Sequence, residues 1–279
     1  ELNAGGGLVD LLAAGAGGAD GGHGPVALAP PRGGRGRCVH LARGGAAVGG
    51  AEVIQLHLPA VGCRAGLPRP VTDLWRTRYV YGYFQTSRGC PHRCTFCSVH
   101  EFFGGRSRMR PIGEVVAEVA ASSRRLFWGI DDNIWGVNVK RSIDLYAEMA
   151  RQLRGRWWFG AGDRGSLDPE RADEMLSSAR RAGLTAVLVG WESNNPRSLE
   201  EYRAVSKQGQ RRRDQIRRIR DHGIEVMLFT MLGGRQDVRQ DYDDLLRLCD
   251  ELMVSAHPVM VTPFPGTELH EQYREFLRP

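Results

Sequence analysis

What this 279-residue chain lacks narrows its reading first. No Phe, Trp or Tyr precedes Trp75, while residues 1–66 hold 18 of the 36 glycines together with 13 alanines, so that stretch has little to bury. It is expected to be poorly ordered, with one strand-like piece at 51–58, "AEVIQLHL". Lysine is almost missing, since Lys140 and Lys207 are the only lysines among 38 basic residues. With a formal charge of only +6, that arginine bias reads as compositional, and a nucleic-acid partner is not expected. No apolar run approaches the roughly 18 residues a membrane helix needs, and no charged leader precedes an apolar block. A soluble, cytoplasmic protein is expected. Cys38, Cys63 and Cys249 are scattered and the other three cysteines are crowded together, a distribution unlike a disulfide framework, which implies a reducing compartment.

The composition changes after "LPRP" (67–70), which places a boundary near residue 74 and divides the chain into a Gly/Ala-rich segment, 1–74, and a core domain, 75–279. From Tyr79 onward short apolar runs alternate with amphipathic stretches, the pattern of parallel strands joined by crossover helices. Strands are expected at 79–86, 125–130, 156–162, 185–190, 224–232 and 256–262. Between them, Ile112, Val115, Val116 and Val119 form one helical stripe, and Ile143, Tyr146, Ala147 and Ala150 another. Asp168 is expected to cap the helix carrying Ala172, Met175, Leu176 and Ala179, with Gly183 closing it. In "RRRDQIRRIR" (211–220) Ile216 and Ile219 supply the stripe, which puts the arginines on the wet face. Tyr242, Leu245, Leu246 and Cys249 are spaced as a core stripe, so Cys249 reads as a buried hydrophobe and a last helix follows Gly266.

Six strand-helix units make a partial (β/α)6 TIM-type barrel, and chemistry in such folds sits on the loops at the C-terminal strand ends. Those ends are the polar places: Thr86-Ser87-Arg88, Asp131-Asp132-Asn133, Asp163-Arg164, Glu192-Ser193-Asn194, Gly233-Gly234-Arg235 and Thr262-Pro263. The first also carries "SRGCPHRCTFCSVH" (87–100), with Cys90, Cys94 and Cys97 spaced C-x3-C-x2-C. Thiolates this close share a metal, and two arrangements are open. With His100 as fourth ligand they would form a closed Cys3His zinc site. Alone, they would hold three irons of a [4Fe-4S] cluster and leave the fourth open, with Gly89 allowing the backbone close to the sulfides.

The loop, with Phe96 directly before Cys97, resembles the signature of the radical S-adenosylmethionine superfamily. "LPRP", "FFGGRSRMRP", "IDDN", "GWESNN" and "TPFPGTELHEQ" match in order, and the resemblance covers nearly all of 67–279. The series is similar to the branch whose radical domain follows a cobalamin-binding domain. The resemblance implies that Cys90, Cys94 and Cys97 carry a [4Fe-4S] cluster whose open iron is chelated by S-adenosylmethionine. Reductive cleavage would then give methionine and a 5′-deoxyadenosyl radical for hydrogen abstraction from a small-molecule or lipid-like substrate. It also implies a low-potential donor of the flavodoxin or ferredoxin type. By the same resemblance Phe96 packs by the adenine, Asp131 and Asp132 face the methionyl amino group, Glu192 and Ser193 face the ribose or methionyl end, and Thr262 and Pro263 shape the far wall.

Four features depart from that pattern. The cobalamin-binding half is unrecognisable, and Asp20 and His23 lack the spacing of its cobalt-ligand motif. Trp191 stands where the family has an aliphatic residue, "DRGSL" (163–167) has no counterpart, and the chain stops just after the sixth helix, as a fragment would. Two alternatives accompany the main reading: a radical enzyme inserting sulfur into RNA or protein, and a zinc-stabilised RNA-binding module using His100 and the arginine helix.

Overall fold

The computed structural model describes residues 40–43, 54–57, 79–162, 170–204 and 210–277. Apart from 40–43 and 54–57, the stretch 1–66 expected to be poorly ordered lies outside them, as do the Asp20 and His23 pair and "DRGSL" with Asp168. The chain divides between Val61 and Gly62 into two units. In the first, β1 (His40–Arg43) and β2 (Ile54–His57) pair antiparallel with His40 opposite His57. The second strand falls within the stretch expected from Val53 and Ile54, whereas the first has no apolar run to announce it.

In the second unit β3 (Gly82–Phe84), β6 (Leu126–Gly129), β7 (Trp157–Gly162), β8 (Leu184–Glu192), β9 (Glu225–Leu232) and β10 (Ser255–Met260) form one parallel sheet. Its strand order is the chain order, β3 to β10, with each strand beside its sequence neighbour. The sheet stays open between β3 and β10, so the fold is the expected partial barrel. A two-residue pair, β4 (Ser87–Arg88) with β5 (Arg108–Met109), closes off the cysteine loop. That loop contains α1 (Ser98–Phe103), which ends on Gly104 at φ 64°, the left-handed cap a glycine supplies without a Cβ penalty.

Crossover helices α2 (Ile112–Ala121), α3 (Val139–Gln152), α4 (Ala172–Arg181), α6 (Gln210–Asp221) and α7 (Arg239–Leu252) supply the cover for the sheet. Phe84, Phe127, Trp158, Val187 and Leu228 point into this core and meet Val115, Tyr146, Met175, Ile216 and Leu248. Two short helices, α5 (Pro196–Glu201) and α8 (Glu268–Tyr273), belong to a smaller cluster at the strand ends, where Leu199, Tyr202, Met231, Leu269 and Tyr273 pack with Phe96.

Several stripes shift from expectation. Helix α4 starts at Ala172 with Arg171 in the capping position, not at Asp168. In α3 Ala147 is exposed and Leu145 and Met149 are buried beside Ile143 and Tyr146. In α7 Leu246 is 65 % exposed while Leu248 is 1 % exposed, because the face against the sheet runs through Leu245, Leu248 and Leu252. A spacing of i, i+3 and i+4 fits either stripe in this leucine-rich helix, and only docking selects one. Cys249 is half-buried and packs against the core as expected of a small hydrophobe, its thiol pushed up by burial. Leu248→Ala is expected to cost about 2–5 kcal/mol and Leu246→Ala less than about 0.5 kcal/mol in urea denaturation, since only the first opens a cavity.

Candidate functional site

The cysteine loop leaves the sheet at Ser87 and returns at Arg108, so it needs partners outside itself. They come from the loop after β6. Asp131 is buried, and its Oδ1 accepts from the backbone N–H of Thr86 at 2.8 Å and of Ser87 at 2.6 Å, while its Oδ2 accepts from Thr86 Oγ1 at 2.7 Å. Asp132 Oδ2 accepts from the Gly89 N–H at 2.6 Å. Gly89 has φ 90°, and a Cβ there would run into the Arg106 carbonyl, so this turn is closed to any other residue. The middle of the loop is held elsewhere. Thr95 donates from N to the Tyr202 carbonyl at 3.2 Å and from Oγ1 to the Glu201 carbonyl at 2.9 Å, and its own carbonyl accepts from Leu269 N at 2.9 Å.

Cys90, Cys94 and Cys97 are half-buried and unbonded to one another. Burial pushes the Cys97 thiol up, as do the charges of Asp132 and Glu192, against the pull of the Val99 and His100 amides. Of the two carboxylates, Asp132 contacts the loop directly, through Gly89. Among the described residues no three His, Cys, Asp or Glu side chains converge on a single ion. A cubane cluster needs no such convergence, because each thiolate ligates its own iron, whereas a zinc tetrahedron needs all donors around one point. His100 stands aside, its ring against Gly105.

The other expected residues gather at the same end of the sheet. Phe96 meets Tyr202 edge-on at 5.7 Å and is only half-buried. Glu192, the last residue of β8, and Ser193 are both buried. Ser193 Oγ accepts from Asn195 N at 3.0 Å, and Asn195 Oδ1 caps α5 by accepting from Arg197 N at 2.9 Å. Thr262 is exposed after β10, and its Oγ1 donates to the Met260 carbonyl at 3.1 Å, with Pro263 beside it. Asp131 is placed differently from its neighbour. Its oxygens are occupied by Thr86 and Ser87, so its contact is with the root of the cysteine loop.

Sequence patterns did not single out three arginines that complete the site. Arg110 Nη1 donates to the Gln85 carbonyl at 3.0 Å and Arg110 pairs with Glu118 at 2.8 Å. Arg141 Nη2 donates to the carbonyls of Thr86 at 3.2 Å and Arg110 at 2.6 Å. Arg212, expected on the wet face of α6, is 5 % exposed and donates to the carbonyls of Trp191 and Ser193. A signal existed for Arg212, which lies four and seven residues before Ile216 and Ile219 and so on their stripe.

On the sheet face turned away from the helices the side chains are aromatic and half-exposed. Trp128 stacks on Phe159 with centroids 5.6 Å apart, and Tyr81 stands edge-on to Tyr83 at 5.5 Å and to Phe159 at 5.8 Å. Across the sheet Phe229 meets His257 at 5.2 Å.

Burial pushes the Asp131 carboxyl up to about 6, against the donors on Ser87 and Thr86 and the charge of Arg141. A folded-state value above the unfolded one means that the native state holds the proton more tightly. The resulting stability is complete below about pH 4 and is lost as the pH rises to about 6, on the order of 3 kcal/mol. Asp131→Asn is expected to flatten that part of a urea-midpoint profile measured from about pH 4 to 7.

Residues 84–249 match the family described as the Radical SAM superfamily. The chain is 24 % identical over 212 residues to the hopanoid C-2 methylase of Rhodopseudomonas palustris, covering 74 % of this chain and 40 % of that one. It is 28 % identical over 202 residues to the bacteriochlorophyllide d C-12(1)-methyltransferase of Chlorobaculum tepidum, covering 69 % and 42 %. A solved structure of the radical S-adenosylmethionine methyltransferase TsrM from Kitasatospora setae, with cobalamin and a [4Fe-4S] cluster bound, superposes with a TM-score of 0.63 at 21 % identity, covering 76 % of this chain and 43 % of that one. The chain thus spans about two fifths of the length of these relatives. The family match supports radical S-adenosylmethionine catalysis and not the zinc-stabilised RNA-binding reading. With a match over more than half its length and the parallel sheet beneath it, this chain belongs to the radical S-adenosylmethionine superfamily.

Proposed function

We propose that this chain is the radical-generating core of a methyltransferase acting on an apolar small molecule or lipid-like substrate. The observation that carries the reading is the cysteine loop tied to the strand ends by Asp132, with the buried Glu192 ending the neighbouring strand β8. Cys90, Cys94 and Cys97 hold the [4Fe-4S] cluster in this reading, which supplies the electron that cleaves S-adenosylmethionine to methionine and a 5′-deoxyadenosyl group. The chain's residues position the cosubstrate. Asp132 and Glu192 are the carboxylates available to its ammonium and ribose, Ser193 lies beside them, and the free edge of Phe96 offers an apolar surface to the adenine. Asp131 acts behind them, holding Thr86 and Ser87. Thr262 and Pro263 stand on the opposite side of the strand ends.

The open face of Tyr83, Trp128, Phe159 and Phe229 supports an apolar substrate, because aromatic rings give a flat ligand broad contact at little entropic cost. It also walls a reactive radical away from water. Methyl transfer is favoured over sulfur insertion by the methylases among the relatives. The cobalamin in the TsrM structure supports cobalamin-assisted methylation here. Exposed His92 and Arg93 beside the cysteines suit an acidic flavodoxin- or ferredoxin-type donor. Among the described residues no helix is long and apolar enough to cross a membrane.

Anaerobic reconstitution with iron and sulfide is expected to give a brown protein that cleaves S-adenosylmethionine after reduction, with Cys94→Ala abolishing both properties. A colourless protein retaining one equivalent of zinc would overturn the assignment. For the substrate face, a planar apolar probe is expected to quench tryptophan fluorescence in the unmodified protein, with the quenching reduced at least threefold by Trp128→Leu.

A further inference from the structure

Glu192 occupies a backbone conformation that its neighbours must enforce. Its φ is 65°, a left-handed value shared among the described non-glycine residues only by Arg203 and Met253. It is 7 % exposed and sits where the pairing of β8 with β9 slips register, between Gly190 and Glu192. A side chain with a Cβ is strained there and persists only if the surroundings over-determine it.

Within the turn, Ser193 N–H donates to the Trp191 carbonyl at 2.9 Å, and α6 adds a second hold on the same segment. Arg212 Nη1 donates to the Ser193 carbonyl at 2.9 Å, and Nη2 donates to the Trp191 carbonyl. Those two carbonyls flank Glu192, so one planar guanidinium bridges the residue that carries the strain. The same group lies 3.1 Å from the centroid of the Trp191 ring. Trp191 is anchored in turn, its indole N–H donating to Asn194 Oδ1 at 2.7 Å, and Asn194 Nδ2 donating to the Asp241 carbonyl at 3.4 Å. A lysine has neither the fork nor the flat face for this arrangement. An aliphatic residue at 191 would give the guanidinium no ring to lie on.

We infer that Arg212, stacked on Trp191, is a positioning residue that sets the direction of the Glu192 carboxylate. The inference rests on the reading of Glu192 as a contact for S-adenosylmethionine. It assigns a role to the buried member of the arginine run and to the tryptophan at the strand end, neither of which touches the reacting atoms.

The test uses the reconstituted, cluster-loaded protein and measures S-adenosylmethionine affinity, together with iron content and the electron paramagnetic resonance spectrum of the reduced cluster. Arg212→Met is expected to weaken S-adenosylmethionine binding at least tenfold while iron content and the cosubstrate-free spectrum stay unchanged. Arg212→Lys, which keeps the charge and serves if the methionine variant does not fold, is expected to lose at least threefold. Ile216→Ala on the same helix stripe controls for general loosening and is expected to lower the melting temperature with affinity within twofold. Combining Arg212→Met with Glu192→Gln is expected to weaken binding no further than Glu192→Gln alone, because one residue acts through the other. If Glu192→Gln weakens binding and neither Arg212 variant does, or if the two losses multiply, the positioning role is overturned and the Glu192 contact stands. If Glu192→Gln itself leaves affinity unchanged, the contact reading falls and the positioning role with it.

Discussion

The structure depends on two adjacent carboxylates that tie a long loop to a sheet. Asp131 takes the first two backbone amides of the loop's root and Asp132 takes the third, at Gly89. A loop with three cysteines and only a two-residue strand pair at its base has few backbone partners of its own, and these acceptors fix its root over the strand ends as Thr95 fixes its middle. Gly89 completes the constraint, since the turn that presents its N–H to Asp132 crowds the Arg106 carbonyl where a Cβ would be. The cysteines inherit their placement from this junction.

Arginines solve a related problem at the ends of the sheet. Where a parallel strand stops, its last carbonyls leave the ladder and need other donors. Arg110 serves the carbonyl of Gln85, Arg141 joins the Arg110 N–H at that of Thr86, and Arg212 joins the Ser193 N–H at that of Trp191 and also serves Ser193. Each reaches the strand end from a neighbouring helix or strand, and each has the planar fork that lets one side chain donate along several directions. The low lysine content is thus compatible with this use of the cation, because an ammonium could not make the same bridges. The sheet is accordingly two-faced: one side is a conventional aliphatic and aromatic core under helices, and the other presents Tyr83, Trp128 and Phe159 half-exposed beneath the polar strand ends.

Much of this was legible in the residue pattern. Alternating apolar runs and helical stripes located all six strands of the parallel sheet, and the C-x3-C-x2-C spacing with Phe96 pointed to the superfamily that residues 84–249 match. The stripes of α3 and α7 were less legible. Leu246 and Ala147 satisfy helical periodicity as well as the residues that are buried in their place, and the choice is made by which face meets the sheet. Charge was misleading at Arg212, where the expectation that arginine faces water outweighed a spacing that put it on the isoleucine stripe. The two aspartates after β6 looked equivalent, yet Asp131 is enclosed by donors on Thr86 and Ser87 while Asp132 faces Gly89 and the thiol.

The amino-acid sequence alone determined the kind of fold and the order of its elements, and it supplied the cysteine spacing on which the proposed cluster rests, because periodicity and the spacing of thiols are local properties of the chain. Tertiary structure decided which of two neighbouring carboxylates holds Thr86 and Ser87 and which holds Gly89, how Glu192 is held in a left-handed conformation, and which arginine is buried. Those outcomes depend on groups separated by some twenty to fifty residues, such as Thr86 with Asp131 and Trp191 with Arg212, whose meeting is set by the packing of helices on a twisted sheet.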